Sequence, residues 1–129
     1  MPDTTAQLEH ANITVRDPAA TAAWMEKLFG WHIRWQGDAI SGGYTIHVGN
    51  DQRYIALYNP GTAVADPTSS YTRVAGLNHL AVTVDDLDAA ETAIKAHGFE
   101  TSNHGDYEPG RRFYFHDGEG IEFEVVSYA

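Results

Sequence analysis

The chain repeats one segment at an offset of 69 residues. Leu8-Glu-His-Ala-Asn-Ile-Thr-Val-Arg-Asp17 lies over Leu77-Asn-His-Leu-Ala-Val-Thr-Val-Asp-Asp86, with Leu, His, Thr, Val and Asp recurring in register and Ala20 recurring as Ala89. A duplicated segment folds the same way twice, so one reading of local structure must serve both copies. Two units of about 60 residues are each marginal alone and gain stability by packing together. A length of 129 residues with 43% hydrophobic and 12% aromatic side chains supplies the core for that. The expectation is one domain over residues 1–129, with module one at about 7–58, a linker at about 59–73 and module two at about 74–128.

Each copy passes from a short strand into an Ala-rich helical segment. Asp17 can cap the first helix and Pro18 suits its opening turn, while Asp86 caps the second. Ala20, Trp24 and Leu28 give the helical spacing of the first, and Ala89, Ala90, Ala93 and Ile94 form the expected apolar stripe of the second. Gly30 and Gly98 stand where each helix should stop. Short strands follow, at Trp31–Trp35, Tyr44–Val48 and Tyr54–Tyr58 in module one. Module two offers Phe99–Ser102, Arg112–Phe115 and Ile121–Val126. Each half reads β-α-β-β-β, and the segment Asn59–Arg73, with two prolines and five Ser/Thr residues, reads as the linker. The fold class is α+β, two tandem βαβββ modules forming a curved mixed sheet around a cleft.

Alternation along a strand sorts side chains onto two faces. Ala11, Ile13 and Val15 form the apolar face of the first strand, which leaves His10, Asn12 and Thr14 on the other. In the repeat, Leu80, Val82 and Val84 turn inward and His79, Ala81 and Thr83 take the opposite face. The last strand buries Ile121, Phe123 and Val125 and sends Glu122 and Glu124 to the face of the histidines. Phe113 and Phe115 are core by the same rule, and Arg112, Tyr114 and His116 face the cleft. Two equivalent histidines, a carboxylate and a tyrosine thus converge. Two His and one carboxylate suit a divalent metal that keeps open positions, and imidazole accepts Fe(II), Mn, Co, Ni and Zn alike. Alternation alone leaves Glu122 and Glu124 equivalent.

Two such modules, with Leu-x-His at each first strand and a closing Gly-x-x-x-Glu, resemble the vicinal oxygen chelate superfamily from about Leu8 to Ser127. That superfamily includes glyoxalase I, extradiol dioxygenases, fosfomycin-resistance proteins and bleomycin-binding proteins. The resemblance implies metal ligands at His10 and His79. Its loop Asp, then Gly, then Glu falls on Asp117, Gly120 and Glu124, which selects Glu124 over Glu122. Glyoxalase I generally supplies a fourth ligand in the first module, at the position of Ala56 here, which argues against an ordinary glyoxalase I.

Three ligands match the arrangement of extradiol dioxygenases, so the resemblance implies Fe(II) first, with Zn, Ni, Co or Mn as alternatives. Tyr114, ten residues before Glu124, resembles the substrate-contacting tyrosine of that subfamily. The usual acid–base histidine has no counterpart, because Arg53-Tyr54 hold the comparable place. Tyr54, His47 and His104 are the candidate substrate contacts in its stead, and Arg112 can hold a substrate carboxylate or phenolate. His32, His97 and His116 are read as incidental, and the three tryptophans as core.

The implied activity is an extradiol-type dioxygenase acting on a small substrate with vicinal oxygens. The alternatives are a glyoxalase-like lyase or isomerase and a metal-free antibiotic-binding resistance protein. A formal charge of −10 opposes binding to nucleic acid or anionic membranes. With no cysteine, thiolate metal sites and Cys nucleophiles are excluded. The first residues lack the basic and apolar parts of a signal peptide, so a cytoplasmic location is expected. The linker permits exchange of modules between subunits, and hence a homodimer.

Overall fold

The computed structural model describes residues 4–129. The chain divides into two compact units, Met1–Ala65 and Asp66–Ala129, each built as β-α-β-β-β.

The first unit runs β1 (His10–Thr14), α1 (Pro18–Phe29), β2 (His32–Asp38), β3 (Tyr44–Gly49) and β4 (Tyr54–Asn59), with a 3₁₀ turn at Ile40–Gly42. Its sheet has the order β1-β4-β3-β2, with β1 parallel to β4 and the other pairs antiparallel. Asp17 caps α1 by accepting from the Ala20 N–H at 3.0 Å. Gly30 ends it at φ +70, a conformation open to glycine without Cβ strain. α1 buries Thr21, Ala22, Trp24 and Met25 against Ile46, Val48, Ile55 and Leu57. Ala20, expected in the stripe, is exposed. Asn59 ties the end of β4 back to the first strand by donating to the Val15 carbonyl at 2.8 Å.

The second unit repeats the plan with β5 (Leu80–Thr83), α2 (Leu87–His97), β6 (Thr101–Tyr107), β7 (Gly110–His116) and β8 (Glu122–Ser127). Its sheet order is β5-β8-β7-β6, again with one parallel pair, β5 with β8. Asp86 caps α2 at the Ala89 N–H, and Gly98 closes it. The core is Phe113, Phe115, Phe123 and Val125, all fully buried, under Leu87 and Ile94 of the helix.

Two expectations fail here. The α2 stripe is Leu87, Ala90 and Ile94, while Ala89 and Ala93 are exposed. Alanine is nearly indifferent to burial, so the larger Leu87 and Ile94 set the buried face. The strand expected at Phe99–Ser102 starts at Thr101 and continues to Tyr107, through a segment rich in turn residues. A register shift between Ser102 and Gly105, with Asn103 at φ +52, absorbs those residues as a bulge.

Candidate metal centre

Glu124 lies in mid-strand on β8, paired with Ala81 on β5 and Tyr114 on β7. Asp117 sets up that position. Its Oδ1 accepts from the N–H groups of Glu119 and Ile121, and Gly120 turns at φ +91, so the loop delivers β8 in fixed register. Glu124 is 7% exposed, and an isolated carboxylate there would carry a heavy desolvation cost. Two neighbours offset it. Arg112 Nη1 donates to Oε2 at 2.8 Å, and His79 Nε2 stands 3.1 Å from Oε1. Arg112 is itself locked: it donates to the Gly110 carbonyl, and its guanidinium lies 4.8 Å from the centre of the Tyr107 ring.

Donors each about 2.1 Å from one metal lie about 3.0 Å apart at a right angle and about 3.4 Å apart at the tetrahedral angle. The 3.1 Å between His79 and Glu124 falls within that range. Nitrogen and carboxylate oxygen are also the donor types a divalent metal takes. The pair therefore fits two corners of such a site. Among the described residues, no group of three or more His, Asp or Glu side chains is gathered to hold a metal ion.

Tyr114 completes the second-unit cluster, its ring edge-on to His79 with centroids 5.4 Å apart. Burial, and then the charge of Glu124, hold its phenol above the ordinary value, so the hydroxyl keeps its proton. Glu122 turns to other partners. It accepts from the Tyr71 hydroxyl at 3.0 and 3.1 Å and lies 3.8 Å from His116.

In the first unit His10 heads a row of rings that follows the strand order. It stacks on Tyr54 of β4 at 4.7 Å, Tyr54 stacks on His47 of β3 at 4.5 Å, and His47 meets Trp35 of β2 at 5.2 Å. A register shift between Ile33 and Trp35 lets Arg34 join, 4.6 Å from the centre of the Tyr54 ring. Burial, then the charges of His10 and Arg34, lower the pKa of His47. His10 Nδ1 is 2.9 Å from Glu9. Ala56, 3% exposed, pairs with Asn12 and His47, the positions that Ala81 and Tyr114 occupy beside Glu124 in the repeat. By the same register Thr45 stands where Arg112 does.

The residues expected to act thus fall into two groups, one in each unit: His10, Tyr54 and His47 in the first, His79, Glu124, Tyr114 and Arg112 in the second. The structure does not bring His104 to Glu124. Its Nε2 lies 2.6 Å from Glu91 on α2, and its ring approaches core Phe113, so it belongs to the helix-covered side of the sheet. Arg112 is engaged by Glu124 rather than free for a substrate. Trp35, expected in the core, is 52% exposed. Sequence reasoning missed Tyr71, which falls in the Ser/Thr- and Pro-rich linker; no periodicity marks it.

The comparisons agree with this architecture. The family model described as the Glyoxalase/Bleomycin resistance protein/Dioxygenase superfamily matches residues 7–125. The uncharacterized protein YaeR of Escherichia coli (strain K12) is 27% identical over 134 residues, covering 94% of this chain and 95% of its own length. Among solved structures, a glyoxylase/bleomycin resistance protein/dioxygenase domain from Frankia sp. EAN1pec superposes with a TM-score of 0.81 at 20% identity, covering 96% of this chain and 98% of the other. The fosfomycin resistance protein FosX from Listeria monocytogenes, complexed with Mn(II) and sulfate, gives 0.72 at 22% identity, covering 96% and 93%. With the family model spanning nearly every element of both modules, the chain belongs to the Glyoxalase/Bleomycin resistance protein/Dioxygenase superfamily.

Proposed function

We propose that this protein is a divalent-metal-dependent enzyme acting on a small substrate with two vicinal oxygens, with His10, His79 and Glu124 as the ligands. The observation that carries the reading is the buried Glu124 carboxylate with His79 Nε2 3.1 Å from Oε1, a spacing that suits one shared ion. The Mn(II) in the FosX complex supports it by analogy of fold. A bound divalent metal would supply Lewis acidity to adjacent substrate oxygens, and Fe(II) would add reactivity toward O₂.

Extradiol-type dioxygenation is the reaction we favour. Ala56 leaves a fourth ligand position without a donor, unlike the glyoxalase I arrangement. Arg112 bonds to Oε2 of Glu124 and fixes it, so Oε1 is presented on the His79 side. Tyr114, still protonated, can donate to a substrate oxygen as negative charge grows there. The rings of Tyr54, His47 and Trp35 form an aromatic row against which a planar substrate can pack, with His10 at its end. The same row favours a second reading, a binding protein that sequesters an aromatic antibiotic. A glyoxalase-like lyase using Zn, Ni or Co is the remaining enzyme class. We place the protein in the cytoplasm, as a homodimer. No described helix is long and apolar enough to cross a membrane.

Metal analysis of anaerobically purified protein, followed by oxygen uptake with a panel of catechols, separates these readings. Stoichiometric iron with catechol-dependent oxygen consumption is the expected result. Retained zinc or nickel without oxygen uptake would move the protein to the lyases. Tight binding of an aromatic antibiotic by metal-free protein, with no enzyme activity, would move it to the resistance proteins.

A further inference from the structure

Neighbouring residues on a regular strand face opposite sides of the sheet. The register shift between Ile33 and Trp35 breaks that rule on β2, and a bulge of this kind re-aims a side chain. Arg34 and Trp35 consequently both serve the face of His10, Tyr54 and His47. Trp35 meets His47 at 5.2 Å, and the Arg34 guanidinium lies 4.6 Å from the centre of the Tyr54 ring. The Trp35 indole lies along its own strand over Gly37, where a Cβ would stand 3.0 Å from it, and it is 52% exposed. The second unit neutralises its guanidinium internally, through Glu124. In the first unit Ala56 holds the place of Glu124 and has no charge to offer. Glu9 lies 2.9 Å from His10 Nδ1, and among the described residues Arg34 has the Tyr54 ring but no carboxylate as a partner. A guanidinium packed on a ring still presents N–H donors at its edge, in the fork that suits a carboxylate.

We propose that Arg34 is a specificity-determining residue that pairs with the carboxylate of a planar aromatic acid packed on the rings of Trp35, His47 and Tyr54. The proposal rests on the reading of this row as the seat of the substrate, and it narrows the class from any planar molecule to an arenecarboxylate. The ligand brings from outside the carboxylate that Glu124 provides within the second unit. The charge of the chain sharpens the choice. At a formal −10 the surface as a whole repels small anions, so an anion is held only where an uncommitted cation stands beside apolar area. The Arg34 guanidinium carbon and the His10 ring centre lie 4.6 and 4.7 Å from the centre of the Tyr54 ring. An acid of one or two fused rings can therefore meet Arg34 with its carboxylate while its body covers the row toward His10.

The test is calorimetric titration of full-length metal-free protein with naphthoate and with its neutral amide, naphthamide. A pH of about 8.5 lies above the ordinary imidazole range, so Arg34 supplies the charge. Wild type should bind the acid about tenfold more tightly than the amide, the scale of one charge-assisted hydrogen bond. Arg34→Gln should bring the acid down to the affinity of the amide and leave the amide unchanged. Arg34→Lys, which keeps the charge without the fork, should fall between. Trp35→Ala should weaken both probes alike. Arg34 and Trp35 are exposed, so these variants keep the fold. Equal affinity of wild type for acid and amide would overturn the proposal, as would an acid preference that survives Arg34→Gln, or no binding of either probe. If Arg34 only covered the Tyr54 ring, Arg34→Gln would move both probes together, and that result also overturns it. An Arg34-dependent preference for the acid in a protein that binds no iron and consumes no oxygen would refute the enzyme reading and uphold the acid site.

Discussion

Two side chains of β7 divide the work around Glu124. Arg112 is bonded to the carboxylate, with both side chains nearly buried at 12% and 10% exposure. Removing one partner of such a pair leaves a charge without its offset. Arg112→Met should therefore destabilise the fold by about 3 kcal/mol, the low end for a broken buried pair because His79 remains. Urea unfolding at neutral pH measures this, and a loss below about 1 kcal/mol would class the pair with exposed ones. Tyr114 is instead the proposed donor to substrate. Tyr114→Phe keeps the ring beside His79 and removes only the donor, so metal content and stability should hold. Turnover on a confirmed substrate should fall about tenfold or more, since a donor of this kind is worth roughly 2 to 4 kcal/mol and about 1.4 kcal/mol is tenfold in rate. Full turnover in that variant would reduce Tyr114 to a packing residue. Both residues were legible in the sequence, because alternation along β7 separates Arg112 and Tyr114 from core Phe113 and Phe115. The partnership of Arg112 with Glu124 was not, since alternation gives a face and no distance.

Helix α2 is fastened to β6 by polar contacts as well as by Leu87 and Ile94. Glu91 accepts from the Thr101 hydroxyl, lies 2.6 Å from His104 Nε2 and is 3.5 Å from Lys95. Desolvation alone would raise its pKa, but the bonds from Thr101 and His104, together with the charges of His104 and Lys95, bring it below the ordinary 4.5. A carboxyl held low when folded contributes stability above its unfolded value, and that contribution is lost as pH falls through the folded value. Unfolding midpoints in urea should therefore drop for wild type on going from pH 5 toward more acid conditions. Glu91→Gln should start lower and show a shallower drop over the same range. Equal slopes would show that Glu91 is solvated rather than bonded. The helices were legible at their ends, where Asp17, Asp86, Gly30 and Gly98 make local contacts. The extent of β6 was not, because its continuation through Asn103 depends on pairing with β7, and local composition favours a turn. His104 was misplaced for the same reason: once the strand continues past the bulge, its side chain meets α2.

At the scale of the whole chain, duplication has been followed by divergence of matching positions. Ala56 and Glu124, Thr45 and Arg112, and His47 and Tyr114 share register in their sheets. The first unit has become a row of rings ending at His10, and the second a charged cluster around Glu124. The repeated histidine and the strand alternation were readable because both are properties of local sequence. Tyr71 was not, for its contact with Glu122 spans 51 residues and nothing near it in sequence announces a partner. The central proposal is that His10, His79 and Glu124 are the ligands of a divalent metal, and calorimetric titration of Mn(II) into the metal-free protein tests it most directly. One ion per chain should bind to wild type, and His10→Ala, His79→Ala and Glu124→Gln should each weaken binding by at least about 100-fold, about 2.7 kcal/mol. Stoichiometric binding left intact by His10→Ala, or by both second-module variants, would contradict it.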